Sequence, residues 1–229
     1  MIPWIARRPR GFTLIELLIV ITIISILIVI LVVVARPPTD KVKWDKVRES
    51  LDQALRSYEQ TFDGMFPPSN NSSVGSGAEC LYYYLMGPGG KGWSPSNGNV
   101  AANYTWGPAK ELAQDWMIGQ SGSRKYFIDG NAADPMPVLY YRANRVPNAT
   151  TLIEPIAFDE VYRVADNAAY FSPTTGSNGE WKKLIANPAS SKNAPFNPTS
   201  YILWSAGVDR KFGYVEGKCD DFTNFKRPN

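Results

Sequence analysis

Residues Arg7–Ala35 read R-R-P-R-G-F-T-L-I-E-L-L-I-V-I-T-I-I-S-I-L-I-V-I-L-V-V-V-A. Three arginines, Arg7, Arg8 and Arg10, precede Gly11. From Phe12 to Ala35 only Thr13, Glu16, Thr22 and Ser25 interrupt the apolar run. A helix over Phe12–Ala35 reaches roughly 36 Å at its usual rise, enough to cross a hydrocarbon core of about 30 Å. The run therefore predicts a transmembrane helix. The apolar region of a secretory signal peptide is only roughly 7–15 residues long. This one is longer and carries a carboxylate, Glu16. An ionisable group in a membrane segment is costly unless it is paired, so Glu16 is the first functional candidate.

Gly11-Phe12-Thr13-Leu14-Ile15-Glu16, with the basic leader and the apolar run, resembles the processing site of type IV prepilins and type II secretion pseudopilins. The resemblance implies cleavage after Gly11 by a membrane prepilin peptidase, which also methylates the new terminal amine of Phe12. It implies an assembly role for Glu16, whose carboxylate would meet the Phe12 amine of a neighbouring subunit. It also sets the topology, with the leader in the cytoplasm, one pass through the inner membrane, and the rest of the chain periplasmic or extracytoplasmic. Charge alone does not fix this orientation, because Arg36, Lys41, Lys43, Lys46 and Arg48 follow the span. The implied partners are further copies of the chain in a helical polymer, the peptidase/methyltransferase, an inner-membrane assembly platform and minor pseudopilins.

Composition narrows the function classes. The 229 residues carry a net charge of +3, and removing 1–11 lowers the basic count from 24 to 21, equal to the acidic count. No basic excess points to nucleic acid. Histidine is absent, which removes His-based acid/base chemistry, Ser-His and Cys-His triads, and the commonest transition-metal ligand. With no G-x-S-x-G elbow and no phosphate loop either, the chain does not read as an enzyme. Its two cysteines, Cys80 and Cys219, have no metal-site spacing; in an oxidising compartment they are candidates for a disulfide.

After the span, Arg36-Pro37-Pro38 breaks the helix, and Thr39 or Asp40 can cap a second one. Val47, Leu51, Ala54, Leu55, Tyr58 and Phe62 recur at helical spacing and predict an amphipathic helix whose stripe packs on a sheet. Short helices are predicted over Ala78–Met86 and Ala109–Ile118. Between them Trp93 and Trp106 lie in a Gly/Pro/Ser/Asn-rich loop, where they plug small cores or stack on a ligand. Strand-like runs are Val138–Arg142, Tyr201–Trp204 and Phe212–Val215, with weaker ones at Leu152–Ile156 and Val161–Val164. The expected class is α+β. The expected divisions are the leader 1–11, a polymerisation helix 12–35, a stalk helix 36–62 and a globular domain 63–229. By resemblance the fold is pilin-like: a long N-terminal helix, its front half transmembrane, on a small antiparallel sheet.

Two further segments resemble the major pseudopilin. Asp134-Pro135-Met136-Pro137-Val138-Leu139-Tyr140-Tyr141-Arg142 is similar to its D-P-W-G-x-P-Y-x-Y strand, with Met136-Pro137 in place of Trp-Gly. Tyr201–Asp209 is similar to its strand running into S-x-G-x-D, and Asp220-Asp221-Phe222 to its D-D-I ending. The resemblance implies a calcium loop held by Asp209, Asp220 and Asp221, with Ser205 or carbonyl oxygens completing the oxygen shell that calcium requires. Arg210, Lys211 and Lys218 place opposing charge in this loop, and a Cys80–Cys219 bridge is an alternative way to pin it. The filament subunit is the leading reading; the alternative is a membrane-anchored module that holds glycan or secreted protein on its Trp/Tyr-rich loops.

Overall fold

The computed structural model describes residues 13–34, 39–93, 106–131, 133–144, 161–171, 183–190, 194–213 and 219–226, without the side chains of 30–34. The chain forms two compact units, 1–38 and 39–229. The first contains helix α1, Leu14–Val34. The expected double-proline break at Pro37-Pro38 lies outside the described residues.

The second unit contains α2 (Asp40–Thr61) and α3 (Gly77–Met86), the hairpin β1–β2 (Ile118–Ser121, Arg124–Phe127), and the strands β3 (Leu139–Arg142), β4 (Tyr201–Ser205) and β5 (Phe222–Thr223). Helix α2 follows Thr39 at the N-cap and buries Trp44, Val47, Leu51, Ala54, Leu55 and Tyr58, the stripe read from the sequence plus Trp44. Helix α3 opens on a reciprocal cap in which Glu79 accepts hydrogen bonds from the Ser76 amide and hydroxyl.

Strands β3, β4 and β5 form one antiparallel sheet in that order, with Tyr140 opposite Leu203 and Tyr141 opposite Ile202. Successive strand residues face opposite sides. Tyr140, Tyr201 and Leu203 join the cluster built on α2 and α3, while Leu139, Tyr141, Ile202 and Trp204 join a second one with Val161, Tyr162, Leu184 and Ile185. A sheet covered on both faces needs apolar residues at every position, which is why Tyr201-Ile202-Leu203-Trp204 is continuously buried. The Tyr201 hydroxyl, 2.8 Å from Asp52, ties this sheet to α2.

Several expectations need correction. Ala109–Ile118 is not one helix but two 3-10 turns, Lys110–Leu112 and Asp115–Met117, followed by β1. Leu112 and Met117 are five residues apart, so one α-helix would point them to different faces; two separate turns bury both. The hairpin that follows turns on Gly122-Ser123, with Gly122 at φ 60°. Val161–Val164 is not a strand, since Val164 opens a 3-10 turn. Phe212 and Gly213 form a bend, the Gly213 amide being taken by Asp221 rather than by a ladder. Leu152–Ile156 and Tyr214-Val215 lie outside the described residues.

Trp93 and Trp106 are both buried in the main cluster and pair through their backbones. The Trp93 indole donates to the Tyr84 carbonyl at 3.1 Å, and Trp106 packs edge-on to Tyr58. They are core residues of the second unit.

Candidate functional site

Helix α1 is apolar on every side, and its large side chains from Leu14 to Val29 are all substantially exposed. A helix with no polar face has no way to bury itself against one partner surface alone. Its only described carboxylate, Glu16, sits in the first turn. There the Thr13 amide and hydroxyl donate to Glu16 Oε2 at 2.8 and 2.7 Å, and the Glu16 amide lies 3.3 Å from the Thr13 hydroxyl. Thr13-Leu14-Ile15-Glu16 is thus a capping box. The resemblance implies an intermolecular contact for Glu16; this local one has its own signature, T-x-x-E before an apolar run. Thr22 and Ser25 turn their hydroxyls back to the carbonyls of Leu18 and Ile21, so they expose no unmet donor. Gly11 and Phe12 lie outside the described residues.

Among the described residues no helix is long and apolar enough to cross a membrane. The part of α1 with described side chains, 14–29, reaches roughly 24 Å, short of about 30 Å of hydrocarbon. The remainder of the expected span lies beyond it.

The second candidate is the loop between β4 and β5. Asp209, Asp220 and Asp221 come together there, with carboxylate oxygens within 4.8 Å of one another. Asp220 Oδ2 accepts the Val208 and Asp209 amides at 2.8 and 2.9 Å. Asp221 Oδ2 accepts the Trp204 indole at 2.6 Å and the Gly213 amide at 2.7 Å, and Asp209 Oδ1 accepts the Lys211 amide at 2.9 Å. These donors offset part of the repulsion between three clustered carboxylates. Gly207 makes the approach possible. It adopts φ 67°, and a Cβ there would lie 2.4 Å from the Asp220 carbonyl oxygen.

Two features of this loop differ from expectation. Arg210 does not oppose a cation at the acidic trio, because its guanidinium is engaged elsewhere. It forks onto Asp129, with Nη2 at 3.1 Å from Oδ1 and Nη1 on Oδ2, and also donates to the carbonyls of Gly207 and Asp134. Asp129 is 3% exposed and the Arg210 side chain 14%, so this is a buried ion pair. Ser205 is likewise no member of the trio's shell: its hydroxyl donates to Asp129 at 3.2 Å. No local pattern marks Asp129 beyond the turn signal Asp129-Gly130-Asn131. The donor set of the trio, three carboxylates, suits a hard cation such as calcium. Lys218 lies outside the described residues.

The expected Cys80–Cys219 disulfide is not formed; both residues carry thiols. Cys80 is buried on α3 with its Sγ 3.5 Å from the Gly75 carbonyl, whereas Cys219 borders the second apolar cluster. Burial, reinforced by the neighbouring Glu79, pushes the Cys80 thiol up to about 12.

A family model described as the prokaryotic N-terminal methylation motif matches residues 6–32. The match supports a type IV pilin-like family. It spans the basic residues, Gly11, Phe12, the Thr13–Glu16 box and most of the apolar helix, and indicates a prepilin-processed chain. No curated protein and no solved structure matches the chain, so its second unit stands on its own geometry.

Proposed function

We propose that this chain is a structural subunit of a filament of the type II secretion pseudopilus or type IV pilus kind. It is made as a membrane precursor, cut after Gly11 and methylated on Phe12. The single observation that carries the reading is α1, an all-round apolar helix with one carboxylate in its first turn, most of it inside the matched methylation motif. Such a helix suits two successive environments, lipid before assembly and the helices of neighbouring copies afterwards. In the second, the Phe12 amine of an adjacent subunit neutralises Glu16, so that two costly buried charges become one pair. The chain itself performs no catalysis; it is a substrate of the prepilin peptidase and a partner of the assembly platform and minor subunits. Exchanging Glu16 for valine tests the assembly role: cleavage persists and filaments are lost. Filaments of wild-type yield from Glu16→Val end the reading.

The acidic trio serves this role as a calcium clamp on the β4–β5 loop. The convergence of Asp209, Asp220 and Asp221, with Arg210 turned to Asp129, supports it. Calorimetric titration with calcium should give saturable heat that Asp209→Ala abolishes; equal or absent heats in both proteins remove calcium from the account. The alternative, a binding module built on the Trp-rich loop, is less well supported because Trp93 and Trp106 are core residues.

A further inference from the structure

A cavity of about 520 Å³ opens between the face of α3 and the β1–β2 hairpin. That is within the range of roughly 300–1,000 Å³ typical of small-molecule sites. Ser73, Tyr82, Tyr83, Ser123, Arg124 and Lys125 line it, along with Glu79. At its base sits Glu79, 6% exposed. One carboxylate oxygen takes the Ser76 amide and hydroxyl at 2.6 and 3.1 Å, and the other takes the Tyr170 hydroxyl at 3.2 Å. Arg124 Nη1 approaches the same carboxylate at 3.5 Å, while half of the arginine side chain remains exposed. Gly75 clears the space for this approach: a Cβ there would lie 1.9 Å from Glu79 Oε2 and 3.0 Å from Arg124 Nη1.

The arrangement is that of an oriented anion receptor. A guanidinium carries five donors in a rigid fork, and a buried carboxylate that holds one nitrogen fixes the direction of the rest. Fixing the anchor in advance removes ordering cost from ligand capture. The charges also select the ligand. Arg124 and Lys125 against Glu79 leave one net positive charge, which suits a monoanionic carboxylate better than a doubly charged phosphate. Around it stand the hydroxyls of two serines and two tyrosines, groups that both donate and accept, as sugar hydroxyls require. The partly exposed Tyr83 ring adds the apolar body that packs against the C–H face of a sugar, whereas the Tyr82 ring belongs to the main cluster.

We propose that this cavity binds a uronic-acid unit of an acidic polysaccharide, with Arg124 gripping the carboxylate and the tyrosines and serines holding the ring. The site is independent of the filament role, since it uses nothing in α1. The test is calorimetric titration of the full-length protein in detergent micelles with trigalacturonic acid, beside maltotriose and triglutamate. The expected result is saturable binding of trigalacturonic acid alone, weakened about tenfold or more by Arg124→Gln and not restored by Arg124→Lys. Lys211→Gln, a basic residue on the β4–β5 loop, leaves it unchanged. Tyr83→Ala provides a second lesion that spares Glu79 and weakens binding several-fold. Absence of saturable binding overturns the proposal, as does equal binding of maltotriose. Equal binding of triglutamate makes the site a peptide or bare-charge contact and also overturns it, as does full affinity in Arg124→Gln or Tyr83→Ala.

Discussion

The Thr13 hydroxyl and the Glu16 carboxylate lie 2.7 Å apart at the head of α1, and the Thr13 amide joins them at 2.8 Å. The one acid of the apolar helix is thus satisfied from within its own subunit. Both donors reach Oε2, so in the proposed filament a neighbour's amine can bond Oε1 while the box stays in place. Thr13→Val removes the hydroxyl while keeping the side chain's shape. Amide exchange at 14–17 in the micelle-bound subunit should then become several-fold faster, with the rest of α1 unaltered. Unchanged exchange would mean that the box does not hold the first turn.

Asp129 and Arg210 form the buried ion pair that anchors the β4–β5 loop, and Arg210 occupies the left-handed region at φ 62°. Removing one partner of a buried pair strands the other. Asp129→Ala should therefore lower unfolding stability by about 3–5 kcal/mol. Arg210→Gly also breaks the pair but relieves a backbone conformation that costs a non-glycine residue roughly 1 kcal/mol or more. Denaturant unfolding followed by tryptophan fluorescence should rank wild type first, Arg210→Gly second and Asp129→Ala last. The reverse order of the two variants would place the loop's stability outside this pair.

Burial raises the carboxyl of Asp166 above its usual range, against hydrogen bonds from Ser69 and Asn70 and the charges of Arg163 and Arg142. Asp52 is raised by burial too, opposed by the Tyr201 hydroxyl and by Arg48 and Arg56. A raised folded-state pKa means that the folded protein binds the proton more tightly than the unfolded chain. The resulting stability is fully present below the unfolded value near 3.9 and is lost as pH rises through the folded value. Relative to wild type, Asp166→Asn should lack this contribution. Its stability disadvantage is then largest below the unfolded value, near pH 3.9, and shrinks as pH rises through the raised folded value. A difference that stays constant with pH contradicts the shift.

The two cysteines make a chemical prediction. With the Cys80 thiol buried and held up at about 12, alkylation at pH 8 should modify Cys219 alone in the native protein and both residues after denaturation. Without reductant the intact mass should match two thiols. A mass lighter by two hydrogens would restore the bridge expected from sequence.

Much of this architecture was legible because its cause is local. The stripe Val47, Leu51, Ala54, Leu55 and Tyr58 is a period, and Gly87 after Met86 is a stop signal, so α2 and the end of α3 could be read directly. Strands β3 and β4 were visible as apolar runs. The hairpin Ile118–Phe127 was not, because Gln120, Ser121, Arg124 and Lys125 are exposed and leave no apolar alternation to detect. In the acidic loop, the meeting of Asp209 with Asp220 and Asp221 followed from resemblance. The diversion of Arg210 depended on Asp129, 81 residues away, which no local pattern announces. The disulfide failed for the same reason: cysteine count says nothing about which side of a sheet each thiol occupies.

The central claim concerns a single peptide bond, the one between Gly11 and Phe12. Intact mass and N-terminal fragmentation of the protein extracted from membranes test it most directly. The account predicts a chain that has lost residues 1–11 and begins with N-methylated Phe12. Mature protein that retains Met1 and an uncut Gly11-Phe12 bond contradicts it.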